Sequence, residues 1–206
     1  MRWLRLVLVL MLAAPSALPV EAAGAGAASG DRKAVEATFT KTQAALAAGK
    51  GATALTHLSR TTLDRLEMVR AEAAKGEPKK NNVGLTPSER FAILGLRRQM
   101  PPARLARMNL GELATHALKE GWLGPNIIRQ SRIDAVTVNG DQAEARLLVN
   151  GRPQLLPAFF VREGKGWKID LTNAFDLGDQ MIRLAAFSQR QSEEQAVERI
   201  LEGLGR

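Results

Sequence analysis

The sequence predicts an α+β domain: amino-terminal helices packed on a curved antiparallel sheet of about four strands, followed by a long carboxy-terminal helix. Three observations point there. Apolar residues recur at helical spacing from Val35 to Leu118. From Ser131 to Leu171 the period changes to two, with the pairs Asn139-Gly140 and Asn150-Gly151 between alternating segments. Beyond Asp176 the helical spacing returns.

The chain opens Met1-Arg2-Trp3-Leu4-Arg5, two cations ahead of the apolar run Leu6 to Ala14, and small residues continue to Ala25. This is the layout of a secretory signal peptide, placed here over residues 1–22. The run is shorter than the roughly 20 residues that cross a bilayer, so cleavage is expected rather than a permanent span. Val20-Glu21-Ala22 and Ala23-Gly24-Ala25 both offer a cleavable bond, and the mature chain starts near Ala23 or Gly26. Residues 23–30, rich in Gly, Ala and Ser, are expected to form a flexible leader, and residues 31–206 a single domain.

Within that domain Val35, Phe39, Thr42 and Leu46 define a first helix, stopped by Gly49-Lys50-Gly51. A second, from Ala52 to Lys75, turns Leu55, Leu58, Leu63, Leu66 and Val69 inward, and the polar Gly76 to Asn82 follows it. Thr86-Pro87-Ser88-Glu89 has the residues of a capping box with proline in the first turn, which starts a helix running to about Gln99. Pro101-Pro102 ends it. Asn109 and Glu112 repeat the capping pattern ahead of Leu110, Leu113, Ala114, Ala117 and Leu118, and Gly121 stops that helix.

After Gly124-Pro125 come the strands. Arg132 to Val138 and Gln142 to Val149 are joined at Asn139-Gly140, and Asn150-Gly151 leads to a third strand, Gln154 to Val161. Pro157 removes a ladder donor from that strand, which predicts a bulge or an unpaired edge. The last strand turns Trp167, Ile169 and Leu171 to one side and Lys168 and Asp170 to the other. One helix from Asp176, as its cap, to Leu204 closes the chain, with Val197, Ile200, Leu201 and Leu204 as its packing stripe.

The chain has no cysteine, so disulfides, thiolate metal ligands, a cysteine nucleophile and a lipidated cysteine are excluded. About 180 residues remain after processing, enough for one self-sufficient core. No second long apolar run occurs, and the mature chain is expected to lack a transmembrane segment. The formal charge of +8 reads either as an attraction to anionic surfaces, which outside the cytoplasm means phospholipid head groups, lipopolysaccharide or cell-wall polymers, or as a merely solvated basic face. Nucleic acid is not expected, because the arginines of the helical half are scattered and have no interleaved aromatics to stack bases.

The order of helices and meander, ending in Gly166-Trp167-Lys168-Ile169-Asp170-Leu171, resembles the nuclear transport factor 2-like superfamily, also described as SnoaL-like or cystatin-like α+β. The resemblance covers roughly Asp31 to Thr172. It implies a cone-shaped pocket between sheet and helices, in a superfamily that includes isomerases, dehydratases, lipid carriers and modules without known chemistry. Trp167, Asp170 and the helix after Phe175 also resemble exported toluene-tolerance and phospholipid-binding proteins. That likeness implies a periplasmic or secreted protein holding a lipid.

Chemistry would need a positioned acid or base, and the candidates are His116, Asp134, Glu144 and Asp170. His116 borders the apolar stripe of its helix and reads either as a base at a pocket or as a boundary histidine with its polar edge in water. Asp170 reads either as a pocket carboxylate or as half of a cross-strand ion pair. The absence of tyrosine removes the phenolic donor on which isomerase-like relatives rely. His57 and His116 lack metal-ligand spacing, and neither phosphate loops nor nucleophile elbows occur, so no metal and no cofactor are expected.

The third strand is apolar on both faces. One face is core, and the other is a helix seat, a ligand wall or a partner contact, with the carboxy-terminal helix available to cover it. Phe159, Phe160 and Trp167 are the candidate ligand-binding residues. These readings converge on an exported, non-catalytic binding or accessory protein of the bacterial envelope, its pocket holding a lipid or other apolar molecule. The alternatives are a small isomerase or hydrolase with Asp170 or His116 as base, and a module that docks an envelope protein through the carboxy-terminal helix, where Glu193, Glu194 and Glu198 flank the apolar stripe.

Overall fold

The computed structural model describes residues 25–75, 84–122 and 129–203. The signal segment 1–22, the polar segment after Lys75, Gly124-Pro125 and Leu204 lie outside them. Among the described residues eight helices and one five-stranded antiparallel sheet form an α+β fold with helices on both sides of the sheet in chain order.

Helix α1 spans Ala25–Ala47, so helix begins before Asp31, within the stretch expected as leader. The expected second helix is two: α2, Gly51–Leu55, and α3, Arg60–Ala74. Between them the chain extends. Leu58 bridges Ile169 in parallel, the Ile169 amide donates to the His57 carbonyl at 2.9 Å, and the Ser59 amide donates to the Ile169 carbonyl at 2.8 Å. Ser59 then caps α3 by accepting from the Thr62 amide.

Helices α4, Pro87–Gln99, and α6, Leu110–Lys119, both begin with the expected capping boxes, and the short α5, Pro102–Leu105, follows the Pro101 break. Strands β1, Ser131–Asn139, and β2, Gln142–Val149, pair from Asn139↔Gln142 to Ser131↔Val149 with an irregularity between Ile133 and Val136. Gly140-Asp141, not Asn139-Gly140, forms their two-residue loop, and of these Gly140 alone has positive φ. At Asn150-Gly151 both residues have positive φ, as a type I′ turn demands.

The expected third strand starts late: residues 154–157 are not strand, and it runs as β4, Ala158–Glu163, while a short strand β3, Arg152–Pro153, lies before the expected start. Both β3 and β4 pair with β2. Strand β5, Gly166–Asp170, pairs with β4, giving the order β1-β2-β4-β5. Leu171 leaves the strand and becomes the N-cap of α7, Thr172–Ser188.

The expected single helix from Asp176 to Leu204 is therefore two helices, α7 and α8, Glu193–Gly203. Asp176 lies inside α7, not at its start. The break falls at residues 189–192, where Arg190 takes φ 51° and the Ser192 and Gln195 side chains bond each other's amides at the head of α8.

Three cores result. Val35 of α1 packs with Val136, Ala143, Ala145, Phe160 and Trp167 on one sheet face. Val69, Ala73, Ile93, Met100, Leu105 and Leu113 join α3 to α6. Ile182, Ala186, Ala196, Val197 and Leu201 join α7 to α8, with Phe91 and Leu94 of α4 against them. The sheet's extensive helix contacts belong to α1, and α7 and α8 pack on α4 instead. The carboxy-terminal helices thus do not cover the second face of β4.

Candidate functional site

Asp170 sits where β5, α3 and α7 converge. Its Oδ1 accepts from the Thr172 hydroxyl at 2.6 Å, the Thr62 hydroxyl at 2.9 Å, and the Thr172 amide and Ser59 hydroxyl at 3.1 Å. Ser59 and Thr62 are buried, and the Thr62 hydroxyl also accepts from the Leu171 amide. Burial pushes the carboxyl upward in pKa, but the donors from Thr172, Thr62 and Ser59 outweigh it and hold it below its ordinary value. These partners are hydroxyls and an amide that tie two helix starts to the last strand, in place of the cross-strand arginine expected from alternation.

His116 lies on α6 with Trp122 edge-on at 5.5 Å between ring centroids and the Glu120 carboxylate 3.9 Å from Nδ1. It lines an open depression between α2 and α6, beside Glu112, Thr115 and Lys119. Asp170 and His116 are not brought together at one site: the depression's lining does not include Asp170. Asp134 pairs with Arg146 across β1 and β2, which lowers its pKa, and Glu144 is exposed on β2. Among the described residues, no group of three or more His, Asp or Glu side chains is placed to hold a metal.

Of the three candidate ligand contacts, two are core. Phe160 and Trp167 are 1% and 4% exposed and pack against α1. The Trp167 indole donates to Asp31 at 3.2 Å, and the Arg162 guanidinium lies 4.5 Å above its ring while pairing with Asp31 at 2.7 Å and Asp141 at 3.1 Å. Arg162 first, and the indole second, hold Asp31 below the ordinary carboxylate range. Phe159 is one residue out of phase with Phe160 and faces the opposite side, in register with Asp170 and Glu144. It is half-buried there.

A second polar junction was not visible in the sequence. Arg65 of α3 pairs with Glu89 of α4 at 2.9 Å and with Asp176 and Asp179 of α7 at 3.3 and 3.9 Å, while its guanidinium covers the Phe175 ring at 4.4 Å. The Ser88 amide donates to Asp179 at 2.7 Å, so a buried carboxylate from α7 caps the start of α4. Gly178 permits this approach, since a Cβ there would stand 2.5 Å from the Ser88 hydroxyl. Thr86, Ser88 and Glu89 were readable as a helix start, but nothing in their spacing names Arg65 or Asp179 as partners.

The stripe expected to dock a partner is interior: Val197 and Leu201 are buried, Ile200 packs beside them, and Glu193 and Glu194 pair with Arg183 and Arg90. The exposed apolar side chains of this hairpin belong to α7, where Leu184 and Phe187 are 66% and 83% exposed. No described helix is long and apolar enough to cross a membrane. No family model, no curated protein and no solved structure matches the chain.

Proposed function

We propose that this is an exported, non-catalytic binding or accessory protein of the bacterial envelope, whose apolar or amphiphilic target meets it on its surface. One observation carries the reading. Phe160 and Trp167, the residues that would wall a pocket between sheet and helices, are packed against Val35 of α1, while Leu184 and Phe187 stand in solvent. Leu184 and Phe187 lie three residues apart on α7, the spacing of neighbours on one helix face.

The chemistry of the carboxylates supports the same view. Asp170 is held by its own chain: Oδ1 accepts from Thr172, Thr62 and Ser59, donors that tie β5 to two helix starts. His116 has the Trp122 ring edge against it and opens on a depression rather than an enclosed site. The export part of the reading rests on the cation-then-apolar amino terminus.

The test is native mass spectrometry and solvent extraction of the protein recovered from the periplasm. The expected result is a polypeptide that begins near Ala23 or Gly26 and carries no bound lipid. A lipid held stoichiometrically within the folded protein would refute the surface reading.

A further inference from the structure

We propose that the tip of the α7–α8 hairpin docks on an anionic phospholipid surface, with Leu184 and Phe187 entering the interface between head groups and acyl chains. This rests on the surface reading above and names its target. Phe187 lies one turn after Leu184 on the outward face of α7, and Arg183 shares that face one turn before Phe187. The Arg190 amide donates to the Phe187 carbonyl, which ends the helix with Arg190 in a left-handed conformation at the exposed turn. Arg199 reaches back from α8 to the neutral Gln189 side chain, so Arg190 and Arg199 are the cations at the tip, Arg183 being paired with Glu193.

Two features favour a lipid surface over a protein partner. A stable protein interface takes about 800 Å² from each side, and two side chains at a helix end fall far short of that. Insertion of a phenyl and an isobutyl group between lipid head groups requires no such area.

The hairpin has six carboxylates to three arginines, so the sign at its tip is set by which of them are paired. Of the hairpin's carboxylates, Asp176 is paired with Arg65, Asp179 caps α4, Glu193 is paired with Arg183 and Glu194 with Arg90. Glu198 lies on the flank of α8 that Glu194 shares with α4, and Glu202 is a turn further from the tip. Arg190 has no side-chain hydrogen bond or ion pair among the described residues, and the whole chain carries +8. Cations beside an inserting apolar pair are drawn to anionic lipid, an attraction that salt screens.

Sedimentation with vesicles tests the assignment, using phosphatidylcholine alone and phosphatidylcholine mixed with phosphatidylglycerol. The wild-type protein is expected to sediment with the mixed vesicles and to be released by salt. The double variant Leu184→Ser/Phe187→Ser should lose about tenfold or more in binding at unchanged helix content and Tm, and Arg190→Glu should weaken binding to the mixed vesicles without touching the apolar pair.

The proposal is overturned by no sedimentation with mixed vesicles, or by full binding of the double variant. It is equally overturned if light scattering without lipid shows a dimer that the double variant abolishes, since the patch is then a contact between copies. Should the double variant misfold, undiminished binding by Arg190→Glu is the overturning result. Failure here with a lipid-free interior leaves the surface reading standing, whereas an internal lipid defeats that reading whatever the vesicles show.

Discussion

The sheet half and the helical half of this molecule are held together by different means. In the sheet half, Phe160, Trp167, Val136, Ala143 and Ala145 make one apolar face, and Val35 and Phe39 of α1 complete it. Most of its pairings are between sequence neighbours joined by two-residue loops. In the helical half, α3, α4 and α7 come from distant stretches of the chain and meet around Arg65, Glu89, Asp179 and Ser88. Apolar burial is tolerant of direction, but a buried ion cluster has to be satisfied by particular partners in particular places. The two halves should therefore fail differently when a single side chain is removed.

The largest expected effect is in the sheet half. Phe160→Ala removes a fully buried ring from the centre of β4 and should cost about 3 to 5 kcal/mol, since flanking strands hold the cavity open. Equilibrium denaturation measures it, and hydrogen exchange followed by mass spectrometry shows where protection is lost. Loss confined to α1 and the sheet would sharpen the distinction between halves. Equal loss in α4 and α7 would erase it and make the domain one cooperative unit.

Second in size is Arg65→Met, which keeps the stem's packing but leaves Glu89 and Asp179 buried without their cation. Breaking a buried pair in this way costs about 3 kcal/mol or somewhat more. Adding Glu89→Gln should restore part of the loss, because the orphaned charge rather than the missing contact is responsible. If Arg65→Met alone is as stable as wild type, the cluster is solvated and the helical half owes its layout to Val69, Ile93 and Ile182.

How far each half could be read from its sequence follows the same line. Asn150-Gly151 and the Thr86/Glu89 and Asn109/Glu112 boxes act within a few residues, so their chemistry is local and legible. The loop at Gly140-Asp141 slipped by one because a glycine can lead a two-residue turn as well as follow an asparagine. The break before α3 has no local mark, because Leu58 and Ser59 leave helix to pair with Ile169, a strand residue more than a hundred positions away. Arg190 carries positive φ without being Gly or Asn, so no residue type marks the second break, and the apolar period runs across it.

Asp170 shows the same limit at the candidate site. Alternation correctly set it opposite Trp167, but its partners Ser59 and Thr62 belong to a helix start that the sheet pattern says nothing about.

Asp170 also joins the two halves, and its replacement should rank third. Asp170→Asn keeps the shape and one acceptor oxygen while losing the charge that faces the Thr62 and Thr172 donors, at a cost of about 1 to 2 kcal/mol. Asp170→Ala should cost more, because the buried Thr62 hydroxyl would then lose its acceptor, while Ser59 keeps Thr62. Equal stabilities for the two variants would mean that water replaces the carboxylate, and the junction would then contribute little.

The smallest expected effect is a graded loss of stability in acid, and its sign follows from the directions of the shifts. Asp170 is held below its ordinary value near 3.8, so its contribution is present above that pH and lost as pH falls through the lowered pKa. His57, in the extended link that pairs with β5, is lowered by burial and then by Lys168 and Lys41. The folded protein thus favours neutral imidazole. Between the lowered value and the ordinary value near 6.5, the unfolded chain binds the extra proton. Stability is accordingly full above about pH 6.5, falls as His57 in the unfolded chain protonates, and falls again near and below pH 4 when Asp170 loses its charge.

Denaturation midpoints measured from pH 7.5 to pH 3 should show both declines. His57→Gln should flatten the first and leave the second, whereas Asp170→Asn should leave the first and shrink the second, which Asp31 and Asp134 share. A first decline that survives His57→Gln would take that part of the acid response away from the seam between the two halves.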